Sequence, residues 1–385
     1  MTWLEIGAKA VELDPPRLVL TGDAAAHGAA NGRVSARLDR PRTRGRVHAL
    51  TPIPAPTHLL TTPGFLVAVG APEADGRQSL EIRDAEGGSP RPITGRRSRW
   101  VIDPRGPTLL GTSIEGAPTA WSLRDPDARP VVWSTRLDGR VLEAIRVVGS
   151  HVLTAALEER SLGGPLPNVV VQLLHVPDFG HVSKWQTLRG AKRIAERIAE
   201  NTPRVAVGVE TNGPILATLD AIYWADWHLR PRGEATVTGV PMMLSPRSDG
   251  RSWSVWLTAE GPVLRRLVPG AVDHEQVVHE AFMDTRGLLV GPDNGVTLVC
   301  RERIQQFDAN GQLRFKFNFD SCGHAFVDAS GTTLFAQEST LLAASPTGQC
   351  TEVWAAPPGA GKIAALGVSG DRVWVVLDGE LVALD

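Results

Sequence analysis

Two short segments bring potential metal ligands close together in the sequence. His274 and His279 lie five residues apart in DHEQVVHE, and Cys322 and His324 lie two apart in SCGHAF. A zinc pair on a helix needs a spacing of four residues, so the two histidines do not form one. On a strand they point to opposite faces, whereas Cys322 and His324 share a face. We interpret the histidines as solvent-facing residues of an outer strand and Cys322 as a buried core residue, with a metal site at Cys322 and His324 as the alternative.

A glycine-rich segment, PPGAGKIAAL at 357–366, resembles part of a phosphate-binding loop. It lacks the first glycine of that motif, and Ile363 follows the lysine where Ser or Thr is required. The segment therefore indicates a link between structural repeats. Neither this link nor the His and Cys pairs completes a catalytic constellation, so we predict no catalytic residue, no cofactor and no bound metal.

Six arginines lie in the segment RVSARLDRPRTRGRV at 33–47. Such a segment can contact an acidic protein surface or a phosphate backbone. The alternative is a solvated loop, because arginine greatly outnumbers lysine throughout the chain. No set of aromatic residues is interleaved for stacking on bases, which favours a protein partner over nucleic acid. The predicted partner-binding residues are Arg40, Arg42, Arg44 and Arg46.

An aromatic cluster, YWADW at 223–227, provides one further candidate contact. On a strand, alternation places Tyr223 on one face and Trp224 on the other. One face can fill the core between repeats while the other presents Trp224 to a partner. Packing of Trp224 in the core is the alternative.

The composition limits the class of protein. With 385 residues, the chain is long enough for two domains or a repeat array. A content of 39 Gly and 29 Pro favours many short strands and turns. The net charge of -2 argues against a general nucleic-acid binder. Three scattered cysteines are too few for a disulfide framework.

The N-terminal sequence MTWLEIGAKAVEL lacks the basic start and apolar stretch of a signal peptide. No apolar run approaches the length that crosses a membrane. We therefore expect a cytoplasmic protein without membrane contact.

One turn sequence occurs three times, as VIDPRG, FMDTRG and FVDASG. In each copy two apolar residues precede Asp-x-x-Gly, with the aspartates at Asp103, Asp284 and Asp328. Asp at the first position of a turn can accept hydrogen bonds from backbone N–H groups two residues on, and Gly at the fourth tolerates a positive φ. The repetition indicates hairpin turns and not three metal sites.

Turn glycines recur along the chain with a period of roughly 40–45 residues, which is typical of β-propeller blades. They are Gly64, Gly106, Gly149, Gly250, Gly287, Gly331 and Gly370. The wide gap after Gly149 contains GAKRIAERIAEN at 190–201, whose apolar spacing predicts a short inserted helix. Each period holds about four strand-like runs, as a propeller blade requires.

We predict an all-β chain that forms a single β-propeller over residues 55–385. Eight four-stranded blades fit the period best, and seven or nine are the alternatives. The last period, 362–385, contains only three strand-like runs. An N-terminal strand must complete that blade, because an unpaired edge would otherwise remain. Residues 1–54 therefore form an N-terminal segment with the closing strand, from MTWLEIG or GRVHALTPI, and the arginine-rich loop; an irregular extra blade is the alternative.

The outer-strand pattern of a turn glycine followed by tryptophan resembles bacterial propeller repeats of the quinoprotein-like (PQQ-like) type. The matching positions are Gly180 with Trp185 and Gly348 with Trp354, while Phe315 and Phe317 substitute elsewhere. The resemblance covers about residues 55–385. It implies a propeller, and for the enzymes of that family a bound quinone and calcium. This chain lacks their adjacent cysteine pair, which argues against the enzyme.

The chain is also similar, in general character, to propellers encoded beside a MoxR-type ATPase and a von Willebrand A-domain protein. That similarity implies an ATPase-containing complex as the partner.

Two functional hypotheses follow from the sequence. The first is a non-enzymatic scaffold for protein–protein interaction, which fits the absence of a catalytic constellation. The second is a hydrolase or lyase with a metal-assisted site in the central channel, built from one residue per blade so that no local motif would reveal it.

Overall fold

The computed structural model is all-β, as predicted. Every regular element in the described part of the chain is a β-strand, and no helix there is long and apolar enough to cross a membrane. The helix predicted near 190–201 lies outside the described residues. The structure describes residues 4–5, 10–11, 37–50, 56–62, 64–84, 88, 90–103, 108–125, 127–132, 140–148, 151–158, 169–175, 181–187, 206–210, 212–218, 221–226, 228–247, 249–278, 285–300, 302–318, 322–369 and 371–385.

The described chain begins with a small sheet, then a strand that belongs to the last sheet, and then a large sheet. The two-stranded sheet pairs β1 (Leu4–Glu5) with β2 (Ala10–Val11), and the strand of the last sheet is β3 (Arg44–Ala49). The large sheet is antiparallel and has seven strands in chain order. These strands are β4 (Pro56–Thr62), β5 (Phe65–Gly70), β6 (Arg77–Asp84), β7 (Arg91–Asp103), β8 (Thr108–Thr112), β9 (Pro118–Ser122) and β10 (Val131–Val132).

Five sheets of four consecutive antiparallel strands follow. The first two contain β11 (Arg140–Val148), β12 (His151–Glu158), β13 (Val169–His175) and β14 (His181–Thr187), then β15 (Ala206–Glu210), β16 (Gly213–Ala217), β17 (Ala221–Ala225) and β18 (Pro231–Thr236). The other three contain β19 (Val240–Pro246), β20 (Ser252–Thr258), β21 (Gly261–Val268) and β22 (Ala271–Val277), then β23 (Thr285–Val290), β24 (Val296–Cys300), β25 (Arg303–Phe307) and β26 (Leu313–Asn318), then β27 (Cys322–Val327), β28 (Thr333–Gln337), β29 (Thr340–Ala344) and β30 (Cys350–Ala355).

The last sheet combines β31 (Ile363–Ser369), β32 (Arg372–Leu377) and β33 (Glu380–Leu384) with β3, in the order β3-β33-β32-β31. The three C-terminal strands and the need for a fourth from the N-terminal segment were both predicted. Of the two candidate segments, GRVHALTPI provides it, with Arg44 opposite Leu384 and Ala49 opposite Glu380. MTWLEIG does not, because its strand β1 pairs with β2.

The seven-stranded sheet consists of two four-stranded units that share β7. The first part of β7, from Arg91 to Arg96, pairs with β6. Its last part, from Val101 to Asp103, pairs with β8 after a shift in register. A single long strand thus ends one unit and begins the next.

Burial changes systematically across a sheet and explains why each strand takes its place. The second strands carry near-continuous apolar runs, such as FLVAVG in β5 and VTLVC in β24, and are buried on both faces. In the fourth strands the exposure of the side chains alternates, as in LRFKFN of β26, where exposed and half-buried residues follow one another. A strand covered on both faces must be apolar throughout, whereas a peripheral strand needs only one apolar face. The sheets therefore stack against neighbours on both faces.

The first strands of successive units contact one another from sheet to sheet. β7 contacts β11, and the contacts continue through β15, β19, β23 and β27 to β31, which in turn contacts β4. At this return contact, Thr61 Oγ1 donates a hydrogen bond to the carbonyl oxygen of Val368. Ser369 Oγ donates to the carbonyl oxygen of Thr62 at 2.9 Å. The last sheet is thereby joined to the first.

The Asp-x-x-Gly interpretation is confirmed at one of its three copies. Asp328 Oδ1 accepts hydrogen bonds from the backbone N–H groups of Ser330 at 2.8 Å and Thr332 at 2.9 Å. Gly331 completes this turn with a φ of 85°. Asp284 lies outside the described residues, as does the turn after Asp103. The prediction that Gly287 is a turn residue is wrong, because Gly287 lies within β23 beside a shift in register.

Candidate functional site

The predicted arginine surface lies on β3 and on the segment that leads into it. Arg40, Arg44 and Arg46 are exposed. Arg40 Nη2 donates to the carbonyl oxygen of Asp371 at 3.3 Å, and Arg44 Nη2 lies 3.6 Å from Glu380 Oε2. Because β3 is the outermost strand of its sheet, these side chains project from the periphery of the molecule.

Arg42 does not belong to that surface, contrary to the prediction. It is only 6% exposed, and its guanidinium donates to three backbone carbonyls, those of Asp371 at 2.9 Å, Leu384 at 3.3 Å and Arg37 at 2.9 Å. Burial, together with the neighbouring charge of Arg40, lowers the pKa of Arg42 to about 10, so it remains a cation at neutral pH. Arg42 therefore fastens the segment to the last sheet.

The exposed arginines share their surface with acidic and apolar groups. Asp371 and Asp385 are exposed at the same end of the last sheet, and Arg372 Nε donates to Asp385 Oδ1 at 2.9 Å. Val47, next to Arg46 on β3, is 41% exposed. This combination of opposite charges around a small apolar contact is typical of the rim of a protein interface.

Trp224 is buried and has almost no surface to offer a partner. It lies on β17, is 1% exposed, and packs in a cluster with Ile215, Leu244 and Trp256. Both faces of this strand are covered, since Tyr223 on the other face is also buried. The core-packing alternative therefore describes Trp224, and we leave this residue out of the proposed surface.

The sequence pairs that suggested metal ligands do not form a described site. His274 lies on β22, an outer strand as predicted, but it is half-buried and packs edge-on against Trp253 with ring centroids 6.2 Å apart. His279 and the side chains of Cys322 and His324 lie outside the described residues. Within the described ranges, no group of three or more His, Cys, Asp or Glu side chains is arranged to hold a metal ion.

An acidic group that the sequence analysis missed lies between two sheets. Glu210 ends β15 and is only 4% exposed. Its Oε1 accepts a hydrogen bond of 3.1 Å from Ser252 Oγ, which belongs to β20 of the following sheet. In the sequence, a glutamate after the apolar run AVGV looks like an ordinary residue flanking a turn.

The surroundings of Glu210 favour the neutral carboxylic acid over the ionised carboxylate. Burial raises the pKa of Glu210 to about 7, because the carboxylate loses its hydration. The hydrogen bond from Ser252 and the charge of Arg232 offset part of this effect, while Asp249 adds to it. The Trp224 indole N–H also favours the carboxylate. It does so weakly, since Trp224 Nε1 is buried without a hydrogen bond of normal geometry to the described residues.

A cationic cluster nearby has a structural role. Arg247 and Arg266 each donate to the carbonyl oxygen of Ala309, in a turn of the next sheet, at 2.9 Å. Their guanidinium carbons lie 5.5 and 6.0 Å from the centre of the Trp253 ring. Both arginines also donate to aspartates, Asp249 at 2.6 Å and Asp273 at 2.8 Å. The cluster thus connects neighbouring sheets.

Comparisons with known proteins identify the fold and no family. No protein-family model matches the chain, and no curated protein matches it. Among solved structures, Sqt1 of Chaetomium thermophilum is similar with a TM-score of 0.59 and 12% identity, over 90% of this chain and 97% of that one. BamB from Moraxella catarrhalis is similar with a TM-score of 0.52 and 14% identity, over 89% and 97%.

A third similar structure is the Pan2 WD40 domain of Neurospora crassa, with a TM-score of 0.51 and 11% identity, over 74% of this chain and 88% of that one. At such low identity the likenesses concern the fold alone. Together with the antiparallel sheets and their contacts, they show that the chain is a β-propeller.

Proposed function

We propose that this β-propeller is a non-enzymatic scaffold that binds a protein partner through the exposed arginines of β3 and its lead-in. One observation carries the proposal. Arg40, Arg44 and Arg46 are exposed on a segment that Arg42 fastens to two backbone carbonyls of the last sheet, those of Asp371 and Leu384. Side chains on a pre-ordered backbone lose less conformational entropy on binding than those of a mobile loop.

The proposed architecture has eight blades. The division of the seven-stranded sheet at β7, the five sheets that follow it and the last sheet with β3 together support this number. The contact between β31 and β4 supports a closed ring. In this arrangement the arginine surface lies on the outermost strand of the eighth blade.

The proposed partner is a protein with an acidic, partly apolar contact surface. Exposed arginines attract carboxylates, and the neighbouring Val47 adds a small apolar contact. The arginine segment 33–47 contains no aromatic residues for stacking on bases, which favours a protein over nucleic acid. An ATPase-containing complex, quinoprotein-like repeats and a cytoplasmic location are further parts of the proposal that come from the sequence alone.

Charge reversal tests the proposed surface. We expect the triple variant Arg40→Glu, Arg44→Glu and Arg46→Glu to bind the native partner at least about ten-fold more weakly, because attraction to its acidic groups becomes repulsion. The partner is first identified by native mass spectrometry of tagged protein from its own cells, and binding is then measured by biolayer interferometry.

The matched control reverses three exposed charges elsewhere, with Arg124→Glu, Arg129→Glu and Lys316→Glu. It has the same net charge as the test variant and should keep the affinity of the original chain. Equal loss in both variants, or no loss in the first, would remove the arginine surface from the binding site. A lone chain carrying one tightly held metal would argue against the scaffold itself.

A further inference from the structure

The strongest unexplained feature outside the arginine surface is the boundary between the β15–β18 sheet and the β19–β22 sheet. The two sheets share one apolar cluster, in which Ala206 and Trp224 of the first pack with Leu244 and Trp256 of the second. Gly208 allows the closest approach, since a Cβ there would lie 1.8 Å from Leu244 Cδ2. We call this boundary the β15–β19 seam.

Glu210 lies at one end of the β15–β19 seam and accepts a side-chain hydrogen bond that connects the two sheets. Its carboxyl group is buried, and its hydrogen bond crosses from β15 to Ser252 at the start of β20. Among the described residues Glu210 has no salt-bridge partner within 4.0 Å. A buried carboxylate without a paired cation is costly, whereas the neutral acid is well tolerated beside a hydroxyl group.

The charged groups that face Glu210 do not neutralise it. Arg232, on β18, favours the carboxylate from a distance, and Asp249, in the turn between β19 and β20, opposes it. Arg247, in the same turn, donates instead to Asp249 and to the carbonyl oxygen of Ala309. From β17, Trp224 contributes only its indole N–H.

We propose that Glu210 is a proton-dependent clasp, which holds the β15–β19 seam closed when protonated and favours its opening when ionised. This inference is independent of the proposed partner surface, which lies on another sheet. It gives the propeller a conformational response to pH near neutrality, located between two sheets and not at an exposed loop.

The direction of the response follows from proton linkage. In the closed seam, burial holds the pKa of Glu210 at about 7, compared with 4.5 for an ordinary glutamate. Between these two values opening releases a proton, so the closed seam is most stable below pH 4.5 and loses stability as the pH rises through 7. Between pH 6 and pH 8 the equilibrium constant for opening should increase about ten-fold.

Hydrogen–deuterium exchange at pH 6 and pH 8, corrected for the intrinsic exchange rates, measures this opening directly. In the unmodified full-length chain, peptides covering β15–β16 and β20 should show the ten-fold increase, while peptides covering β31–β33 should not. In Glu210→Gln, which is neutral at every pH, the increase should disappear and the seam should be more protected than in the original chain at pH 6, because the neutral group gains nothing from ionising in the open state. The same pH response in Glu210→Gln would overturn the proposal.

Two further variants make the test specific. Glu234→Gln removes an exposed carboxylate from β18 of the same sheet and should leave the pH response unchanged. Ser252→Ala keeps the carboxyl group and removes the hydrogen bond that favours its charge, so the midpoint of the response should move to higher pH. An unchanged midpoint in Ser252→Ala, or loss of the response in Glu234→Gln, would also contradict the clasp.

Discussion

At the scale of single residues, Arg42 and Arg44 lie two residues apart but differ in burial and in structural role. Arg42 is buried and bonds the backbone of the last sheet, whereas Arg44 is exposed and pairs with Glu380. The exposed pair is screened by water and costs side-chain entropy to hold. The buried guanidinium supplies hydrogen bonds to carbonyl groups of its own segment and of the last sheet.

Replacing these two arginines with alanine should therefore have unequal effects on stability. We expect Arg42→Ala to lower the free energy of unfolding by about 2–4 kcal/mol, because it removes a buried guanidinium together with its three hydrogen bonds to backbone carbonyls. Arg44→Ala, the matched control, should lower the free energy of unfolding by less than about 1 kcal/mol. Urea denaturation followed by tryptophan fluorescence measures both. Similar values for the two variants would show that Arg42 does not fasten the segment.

The sequence predicted the arginine segment but not which arginine is buried. Alternation along a strand assigns residues to faces, and exposure follows only if one face meets solvent. In this molecule neighbouring sheets cover both faces of the inner strands, so alternation gave no information on exposure for Trp224. Glu210 was missed for the same reason, because it is buried and its hydrogen-bond partner Ser252 belongs to another sheet.

At the scale of elements, β3 is far in sequence from the other strands of its sheet. The other strands of that sheet are consecutive, while β3 comes from the opposite end of the described chain. Leu38, in its lead-in, is fully buried in the core of the last sheet beside Val382 and Leu384. Without β3 and its lead-in, that core loses its cover and β33 becomes an open edge.

A chain that begins at residue 51 should consequently melt at a lower temperature and tend to aggregate. A synthetic peptide of residues 37–50, added in trans, should restore the melting temperature in a saturable manner, since it binds only the folded state. The control peptide carries Leu38→Asp and should restore less. If the shortened chain melts like the full one, β3 does not stabilise the last sheet.

The sequence was informative about elements where turn chemistry is local. In QFDANGQLRFKF (306–317), for example, Asp308 and Gly311 form the turn between β25 and β26, and both are residue types that favour turns. Gly287 was misassigned because a glycine at a shift in register looks the same as a glycine in a turn. The continuous strand β7 was not foreseen, since its two halves are distinguished only by pairing with different strands.

At the scale of the whole molecule, one covalent connection joins the last sheet to the first. β3 pairs in the last sheet and the chain then continues directly into β4 of the first. While β3 stays paired with β33, the short length of chain between β3 and β4 limits how far β4 can separate from the last sheet. The sequence predicted the N-terminal fourth strand of the last sheet from a count of strands, whereas the packing at each seam depends on the folded arrangement.

Circular permutation tests the connection. A permutant that joins residue 385 to residue 37 through a Gly-Ser linker and opens between residues 50 and 51 keeps β3 but severs its link to β4. We expect it to fold and to unfold at least about ten-fold faster, because the severed ends can separate freely. The control permutant has the same linker and opens in the exposed turn at 259–260. Equal unfolding rates, measured by denaturant jumps, would contradict the role of the connection.

During synthesis, β3 is made long before β33, the strand with which it pairs. Arg42 and Asp371, which are bonded in the folded protein, are 329 residues apart. At synthesis rates of about 5–20 residues per second, β3 leaves the ribosome roughly 15–65 s before its partner exists. A strand of sequence RGRVHA tolerates that delay, because its charges and single large aliphatic residue discourage premature pairing with other chains. We therefore expect these arginines to limit such pairing during synthesis, whatever they bind once the propeller is complete.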